Sequence, residues 1–199
     1  EHIKFCLLTG VSKFSKVSVF SGLNNLYDIT LDRNFSTICG ITQEEIDKYF
    51  DDRLPAIANE YNITVNELKQ KIKEWYNGYS WDGKNKLYNP FSILSFFSSF
   101  KFDNYWFSSG TPTFLIEKYR ESKTVIEDIK EFKIGSTFFD QSEIDIIDFR
   151  PLLFQTGYLT VKEYDFINNI YTLGYPNKEV KDAFLSYIAA TFVEKSPGI

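Results

Sequence analysis

A chain of 199 residues with 43% hydrophobic and 25% charged residues is long enough for one large domain or two small ones, and too apolar for disorder. Its net charge of -5 excludes a globally basic field, so direct nucleic-acid binding is not expected of it. The 20 Phe, 13 Tyr and 3 Trp predict a core filled by rings, a bias that an AT-rich genome would equally produce.

The first predicted element is a buried strand over Ile3 to Thr9, IKFCLLT, which ends at Thr9-Gly10 and runs into a loop rich in serine and lysine. Val17, Val19 and Phe20 form a second short strand candidate, closed by Gly22. Nucleotide-binding α/β domains use strand ends of this kind to present a polar residue to a phosphate. Yet no stretch matches GxxxxGK[ST], the loop whose backbone N–H groups and lysine hold phosphates. The chain has no methionine and opens inside the predicted strand, so an upstream portion carrying that loop is expected. Cys6 and Cys39 are the two cysteines, a pattern that suits buried free thiols in a reducing compartment, with the cytoplasm as the expected location. The apolar runs fall short of the roughly 20 residues of a membrane span.

From Ile41 the pattern turns helical. Thr42 with Glu45, and Thr64 with Glu67, are capping boxes. Ile46, Tyr49, Phe50, Leu54 and Ile57 recur at helical spacing after the first, and Leu68, Ile72, Trp75 and Tyr76 after the second. Asn77 to Asn89 is rich in turn residues and holds a short extended piece. Pro90 then opens a helix over Phe91 to Phe100, and Thr111-Pro112 opens another over residues 112–121. A helix around Phe149 to Gln155 precedes Tyr158 to Tyr164 and Ile170 to Leu173, which flank Asn168-Asn169 as a β-hairpin, and Val180 to Phe192 closes with a helix. Helices followed by a hairpin suggest a winged-helix-like module, expected in an acidic chain to pack as a lid and not to grip nucleic acid.

Taken in order, LLTGVSKFSKVSVFSGLNNLYDIT, CGITQEEI, WYNGYSWDG, LYNPFSIL, NYWFSSGTPTFL, LLFQTGYLTV and LGYPNKEV resemble the bacterial predicted AAA-ATPase-like family, whose members often carry a C-terminal PD-(D/E)XK nuclease-like domain. The resemblance covers nearly the whole chain and matches the part after Walker B. It implies an α+β, mainly helical fold: terminal strands of a P-loop α/β domain over residues 1–40, a helical lid over 41–140 and a winged-helix-like module over 141–199. It further implies the sensor and lid portion of an ATPase, with ATP and Mg²⁺ bound through an upstream half and a nuclease-like domain in the same polypeptide. By that resemblance Thr9, with Ser12 second, occupies the sensor 1 position that orients water or contacts the γ-phosphate. Asn89 and Pro90 resemble the lid position that lies against adenine in STAND-type ATPases. Each has a plainer reading: Thr9 as a strand-end cap, Pro90 as a helix-opening residue.

Lys13 and Lys16 are candidates for stabilising phosphate charge, or are solvated loop residues; a lysine acts as a point charge without the fork of arginine. Arg33 and Arg150 rank after them, each bordering a motif. His2 is the lone histidine, so Ser-His-Asp, Cys-His and histidine-zinc chemistries are excluded for this chain. The acidic run Glu143, Asp145 and Asp148 reads first as a solvated cluster, and no metal site is expected. Glu179-Val180-Lys181 has an E-x-K spacing but lacks the upstream aspartate of a nuclease. The aromatic motifs Trp75 to Tyr79, Asn104 to Phe107 and Leu173 to Asn177 read as turn anchors ahead of stacking platforms, because no basic stripe accompanies them. The alternative function is a helical and winged-helix interaction module, binding protein or nucleic acid without ATPase activity.

Overall fold

The computed structural model describes residues 4–10, 26–108, 113–121, 127–140 and 149–193. Helices α1 (Gln43–Tyr49) and α3 (Val65–Tyr76) begin where the sequence places its caps, and α2 (Leu54–Glu60) begins between them without a side-chain cap. Thr42 and Thr64 each accept the N–H of the residue three further on, and Glu45 and Glu67 reach back to accept the cap N–H at 2.8 Å. The apolar run from Ile46 to Ile57 is split, not continuous. Pro55 has no N–H to give to residue 51 and its ring crowds that carbonyl, so a tight turn at Asp51–Arg53 intervenes.

After α3 the chain turns into strand β1 (Asn77–Tyr79), which pairs antiparallel with β2 (Leu87–Tyr88); Ile41 bridges to Tyr88. Helix α4 (Pro90–Ser99) follows at once, with Asn89 as its cap, and α5 (Tyr105–Ser108) is a single turn. Ile46, Leu54, Ile57, Leu68, Ile72, Tyr76, Ile93, Phe96 and Phe97 make one core between α1 and α4. Rings dominate it: Phe50 stacks on Phe97 with centroids 4.4 Å apart, and Phe96 meets Phe102 at 4.7 Å.

The remaining elements are α6 (Thr113–Glu121), α7 (Glu127–Lys130), β3 (Glu131–Gly135), α8 (Arg150–Gln155), β4 (Thr160–Asp165), β5 (Ile170–Gly174) and α9 (Lys178–Val193). Strands β3, β5 and β4 form an antiparallel sheet in that spatial order. Central β5 is buried from Tyr171 to Gly174, while edge strand β3 only half-buries alternate residues. Its register places Tyr164 opposite Tyr171, ring on ring at 4.1 Å. Strand β3 lies inside the stretch expected to be helical lid. The sequence Glu131 to Gly135 alternates charged and apolar residues too briefly to declare itself without its partner β5.

The fold is α+β, with two small antiparallel sheets set among helices. The strand expected over residues 3–9 does not form within the described residues 4–10, whose side chains are all exposed. A strand exists only where a neighbour accepts its N–H groups and offers carbonyls, and no described residue does so there. The second strand candidate, Val17 to Phe20, lies outside the described residues, as does the acidic run at Glu143 to Asp148. Among the described residues no helix is long and apolar enough to cross a membrane.

Candidate functional site: a neutral aromatic cleft

A cleft of about 310 Å³ lies where β1, the start of α4, α5 and the end of α8 meet. That volume sits at the low end of the ~300–1,000 Å³ of small-ligand sites. One wall is Tyr79, Ser80 and Trp81; a second is Tyr88, Asn89 and Pro90; Trp106 and the run Phe154 to Gly157 close the others, with Cys39 beside them. None of the described lining side chains carries a charge.

The loop that carries Ser80 and Trp81 is fixed by backbone geometry. Gly78 has φ +131°, and a Cβ there would stand 2.0 Å from the Pro176 carbonyl oxygen, so only glycine lets β1 run this close to the segment before α9. Ser80 N–H donates to Thr160 Oγ1 at 2.7 Å, and that hydroxyl donates to the Ser80 carbonyl at 2.7 Å. Val161 N–H adds a second bond to the same carbonyl. Asp82 then accepts the N–H groups of Lys84 and Asn85, closing the turn. Of the motif Trp75 to Tyr79, Tyr76 is buried in the helical core and Tyr79 lines the cleft, with Trp81 next to it in the following turn.

The second wall is a helix start. Asn89 Oδ1 accepts the N–H groups of Phe91 at 2.9 Å and Ser92 at 3.2 Å, leaving Pro90 at the first helical position and in the cleft wall. Trp106 sets its ring edge-on to Tyr158 with centroids 4.8 Å apart. Behind these walls lies Glu179, wholly buried at the head of α9. Burial pushes its carboxyl up to about 7, against the pull of N–H and O–H donors from Trp106, Ser92 and Tyr105. Burial likewise raises the phenols of Tyr79 and Tyr158, so both stay neutral hydroxyls.

Of the sequence candidates, Asn89 and Pro90 are in this cleft. Thr9 is exposed in the segment 4–10 and does not line the cleft, and Ser12, Lys13 and Lys16 lie outside the described residues. Arg33 sits over the rings of Tyr164 and Phe166, and Arg150 over Phe132 at 4.6 Å, so both guanidiniums rest on aromatic faces away from the cleft. Trp81, Trp106 and Glu179 were not legible as site residues. Trp106 stands inside a motif with a sufficient packing role, Trp81 lies just past another, and Glu179 reads from sequence only as the acid of an E-x-K spacing that lacks its upstream aspartate. Among the described residues no group of three or more His, Cys, Asp or Glu is placed to hold a metal ion.

Over 182 residues the chain is 40% identical to a protein named "Uncharacterized protein in vnfD 5'region" from Azotobacter chroococcum mcd 1. The match takes in 90% of this chain and 33% of the relative, so the chain spans about a third of that protein's length. No protein-family model matches the chain. No solved structure matches it either.

Proposed function

We propose that this chain is the sensor and lid portion of an AAA-type ATPase, and that the cleft covers the adenine of an ATP whose phosphates and Mg²⁺ are held by an upstream P-loop. The observation that carries the reading is the position of Asn89-Pro90: the capped helix start is a wall of the cleft, facing Trp81 and Trp106. Flat aromatic and proline surfaces suit a planar base. The neutral lining fits the base and not the triphosphate, which needs cations or a backbone nest. The β3-β5-β4 order, with β4 and β5 as a hairpin after α8, supports a winged-helix-like lid.

Bound ATP would supply the hydrolysable phosphoanhydride; the residues of this chain would orient the base and exclude water from it. In the longer protein, the sequence before residue 1 is expected to hold a GxxxxGK[ST] loop and an acidic strand end, and degenerate versions of both would sink the reading. Calorimetric titration of the 199-residue chain with ATP is expected to give no tight binding, whereas adenosine should shift the Phe91 and Trp106 amides. Tight ATP binding by this chain alone overturns the division of labour.

A second reading, an interaction module binding protein or nucleic acid without ATPase activity, draws on the hairpin tip. Phe166 and Ile167 are 69% and 80% exposed there, beside Arg33. A full-length protein that binds a partner through this tip while failing to hydrolyse ATP would favour it.

A further inference from the structure

The cleft holds a polar atom that the fold itself leaves unused. Tyr79 is 8% exposed and lines the cleft, yet its hydroxyl is buried without a hydrogen-bond partner among the described residues. An unpaired buried hydroxyl is costly, so it marks a place where something outside the fold completes the bond. The hydroxyl end of the ring borders the opening. A Cβ at Gly157 would stand 3.8 Å from Tyr79 Cε1, the carbon next to the one that bears the hydroxyl, and 3.4 Å from Trp106 Cζ2. Gly157, at φ +84°, therefore leaves empty a part of the cleft wall that both rings border.

The other hydroxyl and amide side chains of the lining are committed to the fold. Ser80 donates to Asp82 and accepts the Gly83 N–H, while Thr160 is spent on Ser80. Thr156 donates to the Leu152 carbonyl, Tyr88 donates to Gln43, and Gln155 has an interaction of its own. Asn89 is the partial exception. Its Oδ1 is held by the Phe91 and Ser92 N–H groups, which fixes the amide, but its Nδ2 bonds to no described residue. That amide faces the Tyr79 hydroxyl without bonding to it. What is left over is one hydroxyl, which donates and accepts, and one NH₂, which only donates.

We infer that Tyr79 is the specificity determinant of the cleft: its hydroxyl oxygen accepts the exocyclic amine of an adenine, while Asn89 Nδ2 donates to a ring nitrogen beside that amine. This role rests on the adenine reading and adds to it an edge contact that stacking alone does not require. An amine next to a ring nitrogen sets a donor beside an acceptor, which complements the two groups left over. Neither partner is charged, in keeping with the uncharged lining.

The test is an NMR titration of the 199-residue chain with adenosine and with purine riboside, which is adenosine without its amine, following the Phe91 and Trp106 amides. The wild type should bind adenosine about tenfold more tightly than purine riboside, the size of one buried hydrogen bond. Tyr79→Phe should bind adenosine about tenfold more weakly, bind purine riboside as before and so erase the difference. Its thermal midpoint should stay level or rise, because no bond of the fold is lost. Equal binding of the two ligands by the wild type, or a difference that survives in Tyr79→Phe, overturns the edge contact and leaves the adenine reading standing. No amide shift with either ligand overturns the adenine reading itself and the edge contact with it. A fall in the thermal midpoint of Tyr79→Phe, the mark of a hydroxyl already paired with a buried water, overturns the edge contact alone.

Discussion

The helical region from α1 to α4 and the three-stranded sheet with α9 are built by opposite strategies. In the first, three of the four helix starts are written within four residues: Thr42 with Glu45, Thr64 with Glu67, Asn89 with Pro90. In the second, the bonds that matter join distant residues, such as Ser80 with Thr160, Ser92 with Glu179, and β3 with β5. Local signals make helices cheap to specify, whereas the sheet exists only after long loops have closed. The cleft sits on the join between the two, and its shape depends on both.

Perturbing the join should have the largest effect. Gly78→Ala drives a methyl into the Pro176 carbonyl at a φ that alanine rarely adopts, and is expected to cost at least about 3 kcal/mol. Urea unfolding is the measurement; a loss under about 1 kcal/mol would mean that the two regions do not need this close approach.

The pH dependence comes next. Folding raises the Glu179 carboxyl from its ordinary 4.5 to about 7, so its contribution to stability is fully present below the unfolded value and is lost as pH rises through the folded one. A tenfold change in proton affinity is worth about 1.4 kcal/mol, so the chain should lose up to about 3 kcal/mol between those two pH values. Glu179→Gln should flatten that slope when unfolding free energy is measured against pH.

Thr160→Val keeps the shape of β4 but strips both hydroxyl bonds to Ser80, at an expected cost of about 1–3 kcal/mol read by thermal unfolding. Exchange at the Ser80 amide should rise with it. The smallest effect belongs to the self-specified region: Thr64→Ala removes one half of a capping box and should cost about 1 kcal/mol, with increased exchange confined to the first turn of α3. If that substitution instead loosened β4 and β5, the contrast between local and long-range construction would fail.

The same contrast explains what could be read from sequence. The caps at Thr42 and Thr64, the helix-opening Pro90 and the hairpin at Asn168-Asn169 are statements about neighbouring residues, and periodicity and turn chemistry capture those. The split at Pro55 follows from the proline alone but is hidden by the apolar spacing on either side of it. Strand β3 owes its existence to β5, some forty positions on, and short alternation cannot declare a partner. At the cleft, Pro90 was legible as a helix opener; that Asn89 and Pro90 also line a cleft follows from the segments packed around them. Trp106 and Glu179 were not legible, because their roles arise from each other and from Ser92, none of which is adjacent in the chain.

The three tryptophans divide the molecule optically. Trp75 packs with Phe102 in the helical core and carries the Lys178 ammonium over its ring, whereas Trp81 and Trp106 share the cleft. Indole emission follows the polarity and charge around each ring, so one chromophore reports the helical core while two report the cleft. A ligand entering between Trp81 and Trp106 and a helix melting around Trp75 would thus write different spectra, and the protein can be followed without any added label.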